Sequence, residues 1–164
     1  MKKITLEILM ILKNTVMKLN ENTVFDCSMI NISEISSKSG NITVLENGKD
    51  IPFDVKRIYY LYDIPSGECR GGHAHYQLEQ YIFAASGSFN VVVNDGVNKK
   101  NFFLNRPNKG LHIVPGLWRE LVDFSSGSIC MVLASHKYDE SDYVRNFSKW
   151  NCLYNICFDL YFCI

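Results

Sequence analysis

The chain has 164 residues, of which 47% are apolar and 13% aromatic, and its 17 basic side chains balance 17 acidic ones. This is the length of one domain with a real core and the composition of a folded chain, which excludes disorder for its bulk. Zero net charge supplies no global field for nucleic acid, and no apolar run reaches the roughly 18 residues that span a bilayer, so an anionic ligand must be held by local arginines.

Residues 1–24 read as an N-terminal extension. Leu6–Leu19 has the spacing of a short helix, with Ile8, Ile11, Leu12, Val16 and Leu19 apolar, and Glu7, Lys13 and Lys18 interrupt it too often for a signal-peptide core. Met17 is an alternative initiator. From residue 25 to 147 short apolar or alternating runs recur between Gly- and Asn-containing turns. The predicted strands are Ile42–Leu45, Arg57–Asp63, Gly72–His75, Glu79–Ser86, Ser88–Asn94, Asn101–Leu104, Leu111–Val114, Trp118–Phe124 and Ile129–Ala134. Strands this closely spaced, with almost no helical periodicity, predict an all-β sandwich or barrel. Val91–Asn94 followed by Asp95-Gly96 is a hairpin signal. Tyr138–Lys149 is charged and is predicted to include a short helix; within the C-terminal tail 148–164, the apolar and aromatic Trp150–Ile164 reads first as a packed amphipathic helix, with an interface element or a frayed end as the alternatives.

The six cysteines (Cys27, Cys69, Cys130, Cys152, Cys157, Cys163) form no CxxC pair and no zinc-ribbon spacing. They read as reduced thiols of a cytoplasmic protein, serving mainly as small buried packing residues.

Arg70-Gly71-Gly72-His73-Ala74-His75, with Gln80 and Gly87 following, concentrates the chemistry. Two histidines one residue apart on a strand point to the same side. Gly67, His73, His75, Gln80 and Gly87 fall at the positions of the cupin signature, which implies a jelly-roll β-barrel, here with short terminal helices. A neutral amide, Gln80, stands where that signature has its acidic metal ligand. Arg119, just beyond Pro115-Gly116, stands roughly where the last histidine ligand is expected. A guanidinium and an amide beside two imidazoles make a poor divalent-cation site, so neither metal nor other cofactor is predicted. His112 is the one residue able to restore coordination, but it precedes the turn.

The resemblance extends further. Ile51–Tyr60, Arg70–His75, Gly87-Ser88-Phe89, Asn94-Asp95-Gly96, Trp118-Arg119-Glu120, Phe124-Ser125, Val132–Ser135 and Tyr138–Arg145 occur in one order. Together they resemble the metal-independent sugar 3,4-ketoisomerases that act on dTDP-4-keto-6-deoxyglucose, over about residues 28–147. The resemblance implies that His73 removes the C3 proton. It implies that His75 shuttles a proton or stabilises the oxyanion, and that Arg70 holds sugar oxygens or pyrophosphate. Tyr60, with Tyr59 as the alternative, is expected to stabilise the enediolate, and Gln80 to orient a histidine or a hydroxyl. Trp118 and Arg119 are expected beside the sugar, with Arg119 favouring the gluco product and a second position near Ser39 sharing that choice. A homodimer with exchanged N-terminal strands is also implied. The rival expectations are a nucleotide-sugar 3,5-epimerase, a catalytically silent sugar-nucleotide-binding cupin, and a metal-dependent dioxygenase.

Overall fold

In the computed structural model the described residues are 22–153. The predicted helix Leu6–Leu19, Met17, Cys157, Cys163 and most of the apolar tail lie outside them. The strands in chain order are β1 (Ser28–Asn31), β2 (Glu34–Ser37), β3 (Gly40–Thr43), β4 (Arg57–Leu61), β5 (Arg70–His75), β6 (Gln80–Ser86), β7 (Phe89–Asn94), β8 (Lys99–Leu104), β9 (Lys109–Ile113), β10 (Trp118–Val122), β11 (Ile129–Ala134) and β12 (Tyr143–Val144). A 3₁₀ turn spans Glu140–Asp142, and a helix begins at residue 147.

Two five-stranded sheets, ordered β1-β9-β6-β11-β4 and β12-β5-β10-β7-β8, pack face to face. Every pairing within them is antiparallel. This is the all-β sandwich predicted by the strand spacing, in the cupin-like jelly-roll form that the signature resemblance implied. Strand alternation explains the core: Ile82, Ala84, Leu111, Cys130 and Val132 of the first sheet meet Phe89, Val91, Val93, Leu104 and Leu121 of the second. The outer face of the first sheet presents Tyr81, Phe83 and Leu133, covered by Ile32, Ile51 and Phe53 from the segment that precedes β4.

Gly110 is required by this layering. A Cβ there would stand 2.5 Å from the Tyr81 ring, so only a bare backbone lets β9 pass beneath it. The packed unit also reaches beyond both predicted core boundaries. Val24 is buried and its N–H donates to Asp95 Oδ2 at 3.0 Å. At the other end, Trp150 of the helix that starts at residue 147 is fully buried against Trp118, Ala74 and Val144.

β1, β2 and β12 have no counterpart among the predicted strands. β2 is exposed along its whole length and pairs only with β3, so burial imposes no alternating pattern on it. The expectation that the cysteines are mainly buried is corrected in part. Cys27 and Cys130 are buried, and burial pushes their thiols up to about 11 and about 12, but Cys69 and Cys152 are exposed.

Candidate active site

At one end of the sandwich the inward row changes from apolar to polar. Gln80 of β6 lies across from Ala134 of β11, and Ala134 from Arg57 of β4; one row on, Val132 sits between Ile82 and Tyr59. On the facing sheet Arg119 of β10 is in register with His73 of β5, and His75 with Tyr143 of β12. The two sheets thereby bring Tyr59, Gln80, His73, His75, Arg119 and Tyr143 to one place from five strands.

Arg119 organises the cluster. Its Nε donates to Gln80 Oε1 at 2.6 Å, and its Nη2 donates to His73 Nε2 at 3.0 Å and to Tyr59 Oη at 3.4 Å. Gln80 Nε2 also donates to Tyr59 Oη at 2.8 Å. Since a carbonyl can only accept, the 3.0 Å contact from His73 Nδ1 to Gly71 O places the ring hydrogen on Nδ1, and Nε2 takes the Arg119 hydrogen on its lone pair. Gly71 makes this possible. Its φ of +90° suits glycine, and a Cβ there would come within 2.9 Å of Arg119 O and 3.0 Å of Arg119 Nη1. A bulge between Arg119 and Glu120 adjusts the β10–β5 register at the same point.

His75 stands edge-on to His73, ring centroids 4.9 Å apart, and its Nδ1 lies 3.1 Å from Asp142 Oδ2. The Tyr143 ring packs against both imidazoles, at 5.0 Å and 4.2 Å, and the Arg145 guanidinium covers Tyr143 at 4.3 Å. Burial lowers the His73 pKa to about 3, with the Arg119 charge and His75 acting in the same direction. Burial also lowers the His75 pKa, opposed by its hydrogen bond to Asp142. Tyr59 is raised by burial, against the pull of Arg119, so it is a phenol at neutral pH. The result is a set of two neutral imidazoles, a phenol, an amide and one fixed positive charge. Such a set can take a proton from carbon and stabilise the oxyanion that forms. It suits a cation poorly, because the Gln80 oxygen is already held by Arg119 and the guanidinium lies against the His73 nitrogen.

Two sequence expectations, Tyr60 and Trp118, are corrected. Tyr60 is 58% exposed on the outer side of β4, beside Tyr62, and the tyrosine that meets Gln80 and Arg119 is Tyr59. Trp118 alternates with Arg119 along β10 and therefore faces out, donating from Nε1 to Glu120 and packing on Trp150 rather than toward the histidines. Ser39, the expected second position for the C4 choice, lies in the turn joining β2 to β3, where its N–H donates to Ser37 Oγ. Arg70 is exposed at the start of β5 and stands apart from the hydrogen-bonded cluster. His112 faces the outer side of the first sheet, bonded to Glu79 at 2.8 Å, and is not part of the site.

Sequence reasoning gave no role to Tyr143 or to Arg57, whose guanidinium lies over the Tyr59 and Tyr138 rings at 5.2 Å and 5.5 Å with its buried Nε unpaired. The signal available for Tyr143 is its place in the Tyr138–Arg145 motif.

The model of the FdtA family, described as WxcM-like, C-terminal, matches residues 25–155. A curated relative from Aneurinibacillus thermoaerophilus, TDP-4-oxo-6-deoxy-alpha-D-glucose-3,4-oxoisomerase, is 41% identical over 131 residues, 78% of this chain and 94% of the relative. The chain belongs to the FdtA family of sugar 3,4-ketoisomerases. Solved ketoisomerases share its architecture. QdtA from Thermoanaerobacterium thermosaccharolyticum, in complex with TDP, superposes with a TM-score of 0.79 at 36% identity, over 83% of this chain and 99% of that one. A 3,4-ketoisomerase from Helicobacter canadensis gives 0.77 at 43% identity, over 79% of this chain and 98% of that one. The chain is accordingly an isomerase of the ketoisomerase class. No helix among the described residues is long and apolar enough to cross a membrane.

Proposed function

We propose that the protein converts dTDP-4-keto-6-deoxyglucose to dTDP-3-keto-6-deoxyglucose, supplying the 3-keto sugar that an aminotransferase would turn into a 3-amino sugar. The observation that carries this reading is the Arg119–His73–Gln80–Tyr59 cluster, in which a neutral imidazole lone pair and two oxyanion donors share one position. The C4 ketone acidifies the hydrogen on C3. His73 Nε2 accepts that proton once a sugar oxygen takes over the Arg119 N–H, and negative charge gathers on the C4 oxygen. Arg119 and the Tyr59 hydroxyl stabilise the enediolate. Return of the proton to C4, with transfer of the C3 hydroxyl hydrogen to the C4 oxygen, completes the shift of the ketone.

Around this centre, Gln80 orients Arg119 and Tyr59, and Arg70 is assigned to the pyrophosphate. Arg119 on the sugar supports the gluco configuration. The protein acts as a homodimer with exchanged N-terminal strands, a reading supported by Ile35, Ile42 and Val44, which are exposed apolar side chains in and next to the β2–β3 hairpin. It works in the cytoplasm without metal or cofactor, consistent with unpaired Cys27, Cys69, Cys130 and Cys152.

The test is NMR of the sugar after incubation of dTDP-4-keto-6-deoxyglucose with the protein in the presence of chelator. A ketone at C3 is the expected result. Inversion at C3 or C5 with the ketone still at C4 would establish a 3,5-epimerase, and binding without reaction a silent sugar-nucleotide protein. The tyrosine assignment is tested alongside. Tyr59→Phe is expected to reduce kcat by roughly 100-fold, as for loss of one oxyanion donor, whereas Tyr60→Phe leaves kcat within about twofold, since an exposed outer hydroxyl lies outside the site.

A further inference from the structure

We infer that Asp142 is a positioning residue of the isomerase, fixing the His75 ring with its hydrogen on Nδ1 so that Nε2 can serve the proton shuttle that the family resemblance assigns to this histidine. This rests on the ketoisomerase reading, with its proton shuttle at His75, and adds the group that holds that ring in its working tautomer. Shifting the ketone transfers two hydrogens: the one on C3 goes to C4, and the one on the C3 hydroxyl goes to the C4 oxygen. His73 serves the first. The second needs a group with an idle lone pair.

The hydrogen bonds single out His75. A carboxylate only accepts, so the contact between His75 Nδ1 and Asp142 Oδ2 at 3.1 Å places the ring hydrogen on Nδ1. Nε2 is then a bare lone pair, and it is buried without a partner. His73 also carries its hydrogen on Nδ1, but its Nε2 is engaged by Arg119. Of the two facing imidazoles, only His75 is ready to receive a hydroxyl hydrogen in the resting protein. Accepting it makes an imidazolium, which the Asp142 carboxylate stabilises; giving it to the C4 oxygen restores the neutral ring, so the step needs no outside acid or base.

Asp142 is held in place for this. Its Oδ1 accepts from Gln77 N–H at 2.8 Å, its Oδ2 from Leu78 N–H at 3.3 Å, and its carbonyl from Tyr76 N–H at 3.0 Å. The carboxylate is therefore tied to the turn that follows His75 and cannot follow solvent. The other ionisable groups around the His75 ring are His73 on β5, Arg119 on β10, Arg57 on β4 and Tyr143 on β12. Both arginines disfavour an imidazolium, which leaves Asp142 as the neighbour that favours one.

An amide at this position reverses the ring. Asp142→Asn can keep an oxygen for Gln77 N–H while presenting NH₂ to His75 Nδ1, which then accepts and moves the ring hydrogen to Nε2. Nitrogen-15 NMR of the histidine rings reads this directly. The expected result is Nδ1–H on His75 in wild type, Nε2–H in Asp142→Asn, and kcat for the 4-keto to 3-keto conversion lowered by roughly 100-fold with KM within about threefold. Asp142→Glu, which restores a carboxylate, is expected to recover the Nδ1–H form and part of the rate. Nε2–H on His75 in wild type would overturn the inference, as would an Asp142→Asn variant that keeps the wild-type rate or loses affinity in place of rate. Should Asp142→Asn fail to fold, the wild-type tautomer together with Asp142→Glu decides. Wild-type protein that moves no ketone overturns the proposed function itself, whereas an active wild type with the wrong His75 tautomer overturns only the relay.

Discussion

A His73→Asn variant is expected to lose at least about 1,000-fold in kcat while remaining folded, with the loss measured by NMR of the sugar product. The magnitude follows from removing the group that takes the C3 proton, at the upper part of the 10²–10⁴ range of general-base catalysis. Asparagine keeps a short polar side chain beside Arg119 but has no nitrogen lone pair that can accept a proton from carbon. The binding groups Arg119, Gln80 and Tyr59 remain, so KM is expected to change little. Activity retained at the wild-type level would remove His73 from its role.

The same variant has a second, independent readout in acid. His73 has a folded-state pKa of about 3, below the ordinary value of 6.5, because burial and then Arg119 oppose its charge. Between these values the unfolded chain binds a proton at this position and the native chain does not. The contribution to stability is thus fully present above pH 6.5 and is lost progressively as pH falls towards 3. Wild-type protein should show a urea midpoint that drops between about pH 7.5 and pH 5, and His73→Asn should show a smaller drop. Equal slopes for the two proteins would mean that His73 is not held neutral by the fold.

Period-2 alternation made much of this site readable before any coordinates. His73 and His75 had to share a face, and their neighbours Gln80 and Arg119 made a poor metal site; the same pattern located eight of the ten strands described in the two large sheets. The errors have the same origin. Arg119 on the inner face requires Trp118 on the outer one, so the two could never both line the site. Tyr59 and Tyr60 were harder to separate because β4 is an edge strand with apolar residues on both faces, Tyr59 and Leu61 inward and Ile58 and Tyr60 outward. Asp142 lies 67 residues from the histidine it serves, and only the pairing of β12 with β5 brings them together. β2 escaped notice because a fully exposed strand carries no burial pattern to read.

The largest stability effect is expected at Trp150, outside the reacting cluster. The helix starting at residue 147 is capped by Asn146, whose Oδ1 accepts from Lys149 N–H at 2.8 Å, and this cap aims Trp150 inward. Its indole packs at a tilt against Trp118 and Phe147 with centroids 5.7 Å and 5.5 Å away, and Nε1 donates to Gly116 O at 2.8 Å. Gly116 N–H in turn donates to His75 O at 2.7 Å, so the helix braces the strand that holds the histidines. Trp150→Ala is expected to cost about 3–5 kcal/mol from the cavity alone. For a domain of this size that corresponds to a fall in Tm of roughly 10 °C. Trp150→Phe keeps most of the ring volume but leaves the buried Gly116 carbonyl without the indole hydrogen, for a smaller cost of about 1–3 kcal/mol. Since the brace ends on the backbone of His75, both variants are expected to lose kcat more steeply with temperature than wild type, well below their own unfolding transitions. Calorimetry paired with product NMR across temperature checks this, and a Trp150→Ala protein with wild-type Tm would show that the helix merely rests on the sheet.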